Sequence, residues 1–137
     1  MAGPATSDLN SDIVTASFQK LGIVGDDEAP DAAQGQVGLT CLNDMLADWA
    51  ADGIWLGWWP QTSLAATAPL EASDVKAVKL SLVLELSAHY AIAPPQAVLV
   101  AQDEAYQKLV KRYIRYNESA SELPREQAVV DRTGQNL

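Results

Sequence analysis

The stretch "LTCLNDMLADWAADGIWLGWW" spans residues 39–59. Leu39, Leu42, Met45, Leu46 and Trp49 recur at three- and four-residue steps, the spacing of one face of an α-helix. Asp44, Asp48 and Asp52 recur at four-residue steps on the opposite face. Gly53 closes the run. A helix is therefore expected from Asp31 to Asp52, about 33 Å long at 1.5 Å per residue. Trp49 continues its core face, while Trp55, Trp58 and Trp59 fall beyond Gly53 in a connector. These four are all the tryptophans of the chain.

Working outward, residues 24–31 read as an acidic turn in which Pro30 suits a first helical turn. Before it, a helix is expected from Asn10 or Ser11 to Leu21, capped by one of those two residues and favoured by Asp12 near its positive end. Val14, Phe18 and Leu21 share its apolar face, and Gly22 followed by Ile23 reads as a left-handed stop with an apolar clasp. Residues 1–9 read as a loose arm. After Gly53, residues 54–73 form a connector long enough to be functional, in parts extended or hairpin-like. A third helix is expected from Asp74 to Ile92, capped by Ser73 or Asp74. Leu80, Leu82, Val83, Leu84 and Leu86 leave little of its circumference polar, as in a central buried helix. "APP" at 93–95 stops it. A fourth helix is expected from Gln96 to Asn117. Its apolar face carries Leu99, Tyr106, Leu109, Val110 and Tyr113, and its other face Lys108, Lys111, Arg112 and Arg115. Residues 118–137, including Arg125, show no periodicity and read as a tail that orders on a partner. The expected fold is all-α: a four-helix bundle-like domain over residues 10–117, a long aromatic connector between helices two and three, and two arms.

A chain of 137 residues suits one domain with its own core. One cysteine, Cys41, excludes an internal disulfide. No signal peptide is visible at the start, and charges at Lys76, Lys79, Glu85 and His89 break the longest aliphatic segment, so no membrane partner is expected. Net charge is −9. Residues 1–102 hold twelve acids and three bases (Lys20, Lys76, Lys79), and residues 103–137 hold six of each. Such a balance opposes tight binding to a nucleic-acid backbone, which runs on cationic charge.

Signals for catalysis are thin. There is no Gly-rich phosphate loop, HExxH or CxxC, and the single histidine, His89, excludes a His-rich metal site. No cofactor or metal is expected. His89 lies four residues after Glu85 and is read as a polar pair on a mostly buried helix rather than an oriented base. Cys41 is read as a packing residue rather than a thiol nucleophile. "DDEAPD" lacks the ligand alternation of a calcium loop. The Asp44/Asp48/Asp52 stripe is either a solvated face or one answered by cations, with the basic face of helix four the candidate, in the same chain or a neighbouring copy. Some of Trp55, Trp58 and Trp59 are expected to cover the bundle end, but three on one short loop exceed what a small core absorbs, which favours an interface over a ligand platform.

Three segments, "DIVTASFQKLGI" (12–23), "LNDMLADWAADGI" (42–54) and "LELSAHYAIAPP" (84–95), resemble the head-to-tail adaptor family of tailed phages. The nearest relatives are the tail accessory factors, or packaged-DNA stabilisation proteins, of short-tailed phages. The resemblance covers roughly residues 10–118. It implies a non-enzymatic virion protein of the neck, made in the host cytoplasm. Such a protein binds the portal protein after DNA packaging as a ring, twelve-membered in that family, extends the DNA channel and offers a platform to a downstream tail protein. DNA passes through without sequence-specific binding. The analogous adaptor of a long-tailed phage shares the fold and stays open. One branch of the family is associated with peptidoglycan hydrolysis. The corresponding alternative here is a virion-borne hydrolase using Glu85 or the Asp48/Asp52 pair. On the adaptor reading, Asp44, Asp48, Asp52, Trp55, Trp58, Trp59, Lys108, Lys111, Arg112, Arg115 and Arg125 are the expected partner-facing residues.

Overall fold

Gly22 adopts φ 83°, in the left-handed region. Its N–H donates to the Gln19 carbonyl at 3.0 Å, and the Ile23 N–H donates to the Phe18 carbonyl at 3.1 Å. This is the expected Schellman-type stop, and it ends α1 (Asn10–Leu21). The computed structural model describes the backbone of residues 3–133 and the side chains of residues 3–114. Three further helices follow: α2 (Ala32–Ala51), α3 (Ala72–Tyr90) and α4 (Gln96–Thr133). The fold is all-α and bundle-like.

Helix α2 begins where its sequence dictates. The Asp31 carboxylate accepts from the Gln34 N–H at 2.8 Å, and the Gln34 amide oxygen accepts from the Asp31 N–H at 3.0 Å, a reciprocal capping box. Pro30 therefore precedes the cap instead of occupying the first turn. Asp52 and Gly53, at φ 94°, terminate the helix. In α1 neither Asn10 nor Ser11 caps. Leu9 stands at that position, and the Asp12 carboxylate reaches back to its N–H at 2.8 Å. Helix α3 starts two residues earlier than its polar residues imply, with Glu71 at the cap position. Asp74 is instead drawn inward. Helix α3 ends at Tyr90, before the expected Ile92, and the capping residue Ala91 takes φ 56°, an uncommon left-handed conformation for alanine.

The core is built from one face each of α1, α2 and α4 and from most of the circumference of α3. Ile13, Val14 and Phe18 of α1, Leu42, Met45 and Leu46 of α2, Val78, Leu82, Val83 and Leu86 of α3, and Leu109 of α4 are all buried. Helix α3 packs against each of the other three, as its nearly continuous apolar circumference foretold. On α4 the expectation holds at Leu109 but not at Leu99, which is exposed with Val100. Backbone helix continues to Thr133, past the expected end at Asn117. Residues 118–130 lack an apolar stripe; three Glu and two Ala favour a helix there, while Pro124 opposes one.

The N-terminal arm is not loose. It runs antiparallel to the second half of the connector, with isolated bridges Ala5↔Glu71 and Leu9↔Thr67. Thr6 N–H donates to Leu70 O, Ala68 N–H to Asp8 O and Ala72 N–H to Pro4 O, each at 2.8–2.9 Å. The connector's extended part thus finds its backbone partners in the arm, not in a hairpin with itself.

Gly38 marks the closest approach of α2 to α1. A Cβ there would collide with Val14 Cγ1 and lie 3.1 Å from Phe18 Cε1. Alanine gains about 1 kcal/mol of helix propensity over glycine. Overpacking against a buried, β-branched neighbour costs about 1–3 kcal/mol. Gly38→Ala is therefore expected to lower stability by about 1 kcal/mol net. A urea midpoint at or above that of the parent would show that the two helices have room to part.

Candidate partner-binding site

The connector is held by one side chain of α2. Asn43 Oδ1 accepts from the Trp58 indole N–H and from the Gln61 backbone N–H, both at 2.9 Å. Asn43 Nδ2 donates to the Gln61 carbonyl, also at 2.9 Å. The amide therefore reads both backbone groups of Gln61, as a neighbouring strand would. Two donors converging on one oxygen fix the amide's orientation. The buried Gln61 side chain extends the network. Its Oε1 accepts from Asn10 Nδ2 at 3.0 Å and its Nε2 donates to the Trp59 carbonyl at 2.9 Å. Asn10 Nδ2 also donates to the Ser63 carbonyl.

This network sorts the tryptophans. Trp58 is pulled inward to 8% exposure and joins the core, so its expected place at a partner surface is corrected. Trp49 is half-buried at the end of α2 and packs on Tyr106 of α4, ring centroids 5.2 Å apart. Trp55 and Trp59 remain 64% and 62% exposed. The Trp55 indole N–H donates to the Trp58 carbonyl at 3.3 Å, which fixes its ring at the rim. Two large apolar surfaces thus stand in water on a pinned, not a floppy, loop.

Asp44, Asp48 and Asp52 are exposed as expected. Glu85 of α3 joins the first two. Its carboxyl is raised above the ordinary value by partial burial, then by the charges of Asp48 and Asp44. The Cys41 thiol is raised by burial, then by Glu85 and Asp44. That environment opposes formation of a thiolate. Glu85 and His89, both exposed, form no hydrogen bond or ion pair with each other.

Among the described residues, no cation of α4 pairs with this stripe within the chain. Lys108 and Lys111 are exposed. Arg112, expected at a partner surface, is committed internally: its Nη2 donates to Asp74 Oδ1 at 2.7 Å and to the Ser73 carbonyl at 3.1 Å. The side chains of Arg115 and Arg125 lie outside the described residues. Asp74 is 1% exposed, and its Oδ2 has no hydrogen-bond partner. Burial raises its carboxyl above the ordinary value in spite of Arg112. Beside it, burial and then the Asp74 charge push the Tyr113 phenol up to about 12.

Among the described residues, no group of three or more His, Cys, Asp and Glu side chains is placed to hold a metal ion, and no helix is long and apolar enough to cross a membrane. The chain matches no protein-family model and has no significant match among curated proteins.

Asn43, Gln61, Asn10 and Asp74 were not picked out as structural keys from sequence. For Asn43 a signal existed. It lies four residues after Leu39 and three before Leu46, so it shares the core face of α2. A polar residue at a core register needs a buried partner.

Proposed function

We propose that this chain is a head-to-tail adaptor of a tailed phage. It binds the portal vertex as a ring of copies after packaging, prolongs the DNA channel and presents a platform to the next tail protein. It acts by binding and catalyses nothing. The observation that carries this reading is the pair Trp55 and Trp59, exposed on a connector that Asn43 and Gln61 hold rigid. Exposed indoles on a pinned loop meet a partner with little ordering cost. The order and spacing of the three adaptor-like segments support the same reading. So does the net charge of −9, which would let packaged DNA pass without adhering. Helix α4, running to Thr133, supplies reach toward the portal or an adjacent copy.

The test is mass in solution by light scattering, alone and with the portal protein of the same genome. A saturating ring on the portal is expected. Trp55→Ala/Trp59→Ala should weaken the interaction with portal or tail protein by at least about tenfold while leaving the monomer folded. No association with the portal at any salt concentration would sink the reading.

The raised carboxyl of Glu85 beside Asp48 favours a second reading, a peptidoglycan hydrolase with Glu85 as acid. Glu85, Asp48 and Asp52 all lie exposed, without the enclosure that tunes such pairs, which weighs against it. Clearing of host peptidoglycan by the parent but not by Glu85→Gln would establish it.

A further inference from the structure

Lys20, Lys76 and Lys79 are the only cations among residues 1–102. They come from two helices, yet all three line one open cavity of about 620 Å³ between α1, α3 and the N-terminal arm. Leu80 and Ala101 give it an apolar lining. Asp8 also lines it and binds Lys79 at 3.1 Å. Among the described residues, Lys20 and Lys76 form no ion pair, and both are exposed. In a chain of net charge −9, gathering every early cation in one hollow concentrates like charge, and among the described residues only Lys79 has an ion-pair partner there.

The opposite concentration lies across α3. Asp44, Asp48 and Glu85 share a surface made by α2 and α3, close enough for the two aspartates to raise the Glu85 carboxyl. On α3, Lys76 and Glu85 stand about two and a half turns apart, so they point to opposite sides of the helix. One side faces α1 and the lysine cavity, and the other faces α2 and the acidic stripe. Each face repels itself and complements the other, and no single copy can bring them together.

We infer that the acidic face of Asp44, Asp48 and Glu85 on one copy docks into the lysine-lined cavity of the next. Such a contact joins two different patches, so it is heterologous and propagates head to tail until it closes as a ring. The inference deepens the adaptor reading and rests on it for the ring. The occupant is a second copy because the complementary charges are both present on this chain. At long range a net charge of −9 repels a second copy as it repels a polyanion such as DNA, so the contact relies on the local match between the neighbour's three carboxylates and the three lysines.

Two charge-reversed proteins test it: Lys20→Glu/Lys76→Glu and Asp44→Lys/Asp48→Lys. Lys79 is left intact because of its bond to Asp8. Sedimentation is followed at low salt, alone and on the portal protein. The parent should associate, and each variant alone should associate about tenfold or more weakly, since like charges then meet at every junction. An equimolar mixture should recover to within about threefold of the parent, because alternating copies make every junction complementary. Recovery on mixing also excludes misfolding. The inference is overturned if either variant alone assembles like the parent. Failure of the mixture to recover, with each variant helical by circular dichroism, overturns it too, as does a parent that self-associates neither free nor on the portal. A short DNA duplex that binds the parent and not Lys20→Glu/Lys76→Glu, with self-association unchanged, would overturn it in favour of a nucleic-acid groove. A parent that assembles through these faces yet ignores the portal would defeat the adaptor reading and leave the contact between copies standing.

Discussion

Asn43→Leu is expected to release the connector and cost about 2–4 kcal/mol, the largest loss from any single polar substitution in α2. Leucine keeps the branched outline of asparagine, though it is bulkier, and makes none of its three bonds. The Trp58 indole N–H, the Gln61 N–H and the Gln61 carbonyl would each lose a partner at 2.9 Å. Leaving a buried donor or acceptor unpaired costs more than the bond's net worth, because the desolvation remains. The sites are part-buried, so water recovers some of that loss. Relaxation should be local. Helices α1, α2 and α3 keep their apolar contacts, and far-ultraviolet dichroism should change little. Trp58 should swing outward, shifting tryptophan emission to the red and quickening hydrogen exchange over residues 54–63. Asn43→Asp supplies the control. A carboxylate keeps both acceptor bonds but sets negative charge against the Gln61 carbonyl. This variant should therefore lose less stability than the leucine variant, because only the bond to the Gln61 carbonyl is sacrificed. A leucine variant with unchanged emission would show that apolar packing alone holds the connector.

What was legible in the sequence followed local chemistry. The Gly22–Ile23 stop, the span of α2 and the burial of α3 each depend on residues within a few positions of one another, so spacing and capping preferences sufficed. The arm and connector failed that test. Residues 4–9 carry no alternation, and their partners lie some sixty residues away, so nothing local distinguished a bridged segment from a loose one. The end of α4 was misplaced because periodicity reports burial. A helix lacking an apolar face leaves only propensity to reveal it, and here Pro124 opposes that signal.

The candidate site divided along the same line. Exposure of Asp44, Asp48, Trp55 and Trp59 could be read from pattern and position. Trp58 could not, because its burial depends on an indole N–H meeting Asn43, fifteen residues earlier. Arg112 was assigned to a solvent-facing stripe by its spacing with Lys108 and Lys111, and the spacing was right. It gave no notice that Asp74 waits at the start of α3 for that guanidinium. The gathering of Lys20, Lys76 and Lys79 around one cavity is likewise a product of the fold.

Arg112→Met should destabilise the protein by about 2 kcal/mol at neutral pH, less than the loss for a fully buried pair because the arginine side chain is 41% exposed and screened. The damage arises at Asp74. The variant strips the bond at Oδ1 and with it the only counter-charge, leaving a carboxylate at 1% exposure with no cation beside it and only the neutral Tyr113 phenol nearby. The sign of the pH dependence follows. Burial already raises the Asp74 carboxyl, so the folded state holds the proton more tightly than the unfolded chain does. A raised acid contributes most to stability at low pH, and the contribution fades as pH rises from the unfolded value through the folded one. Removing Arg112 removes the influence that lowers the folded value, so it climbs further and the fading extends to higher pH. The gap between variant and parent should be widest at neutral pH and shrink on acidification, as a protonated Asp74 no longer needs a counter-charge. Asp74→Asn in the Arg112→Met background abolishes the buried charge at constant shape, and it should return part of the lost stability at pH 7. A pH-independent gap, with no recovery in the double variant, would mean that Arg112 matters through the packing of its aliphatic stem and not through Asp74.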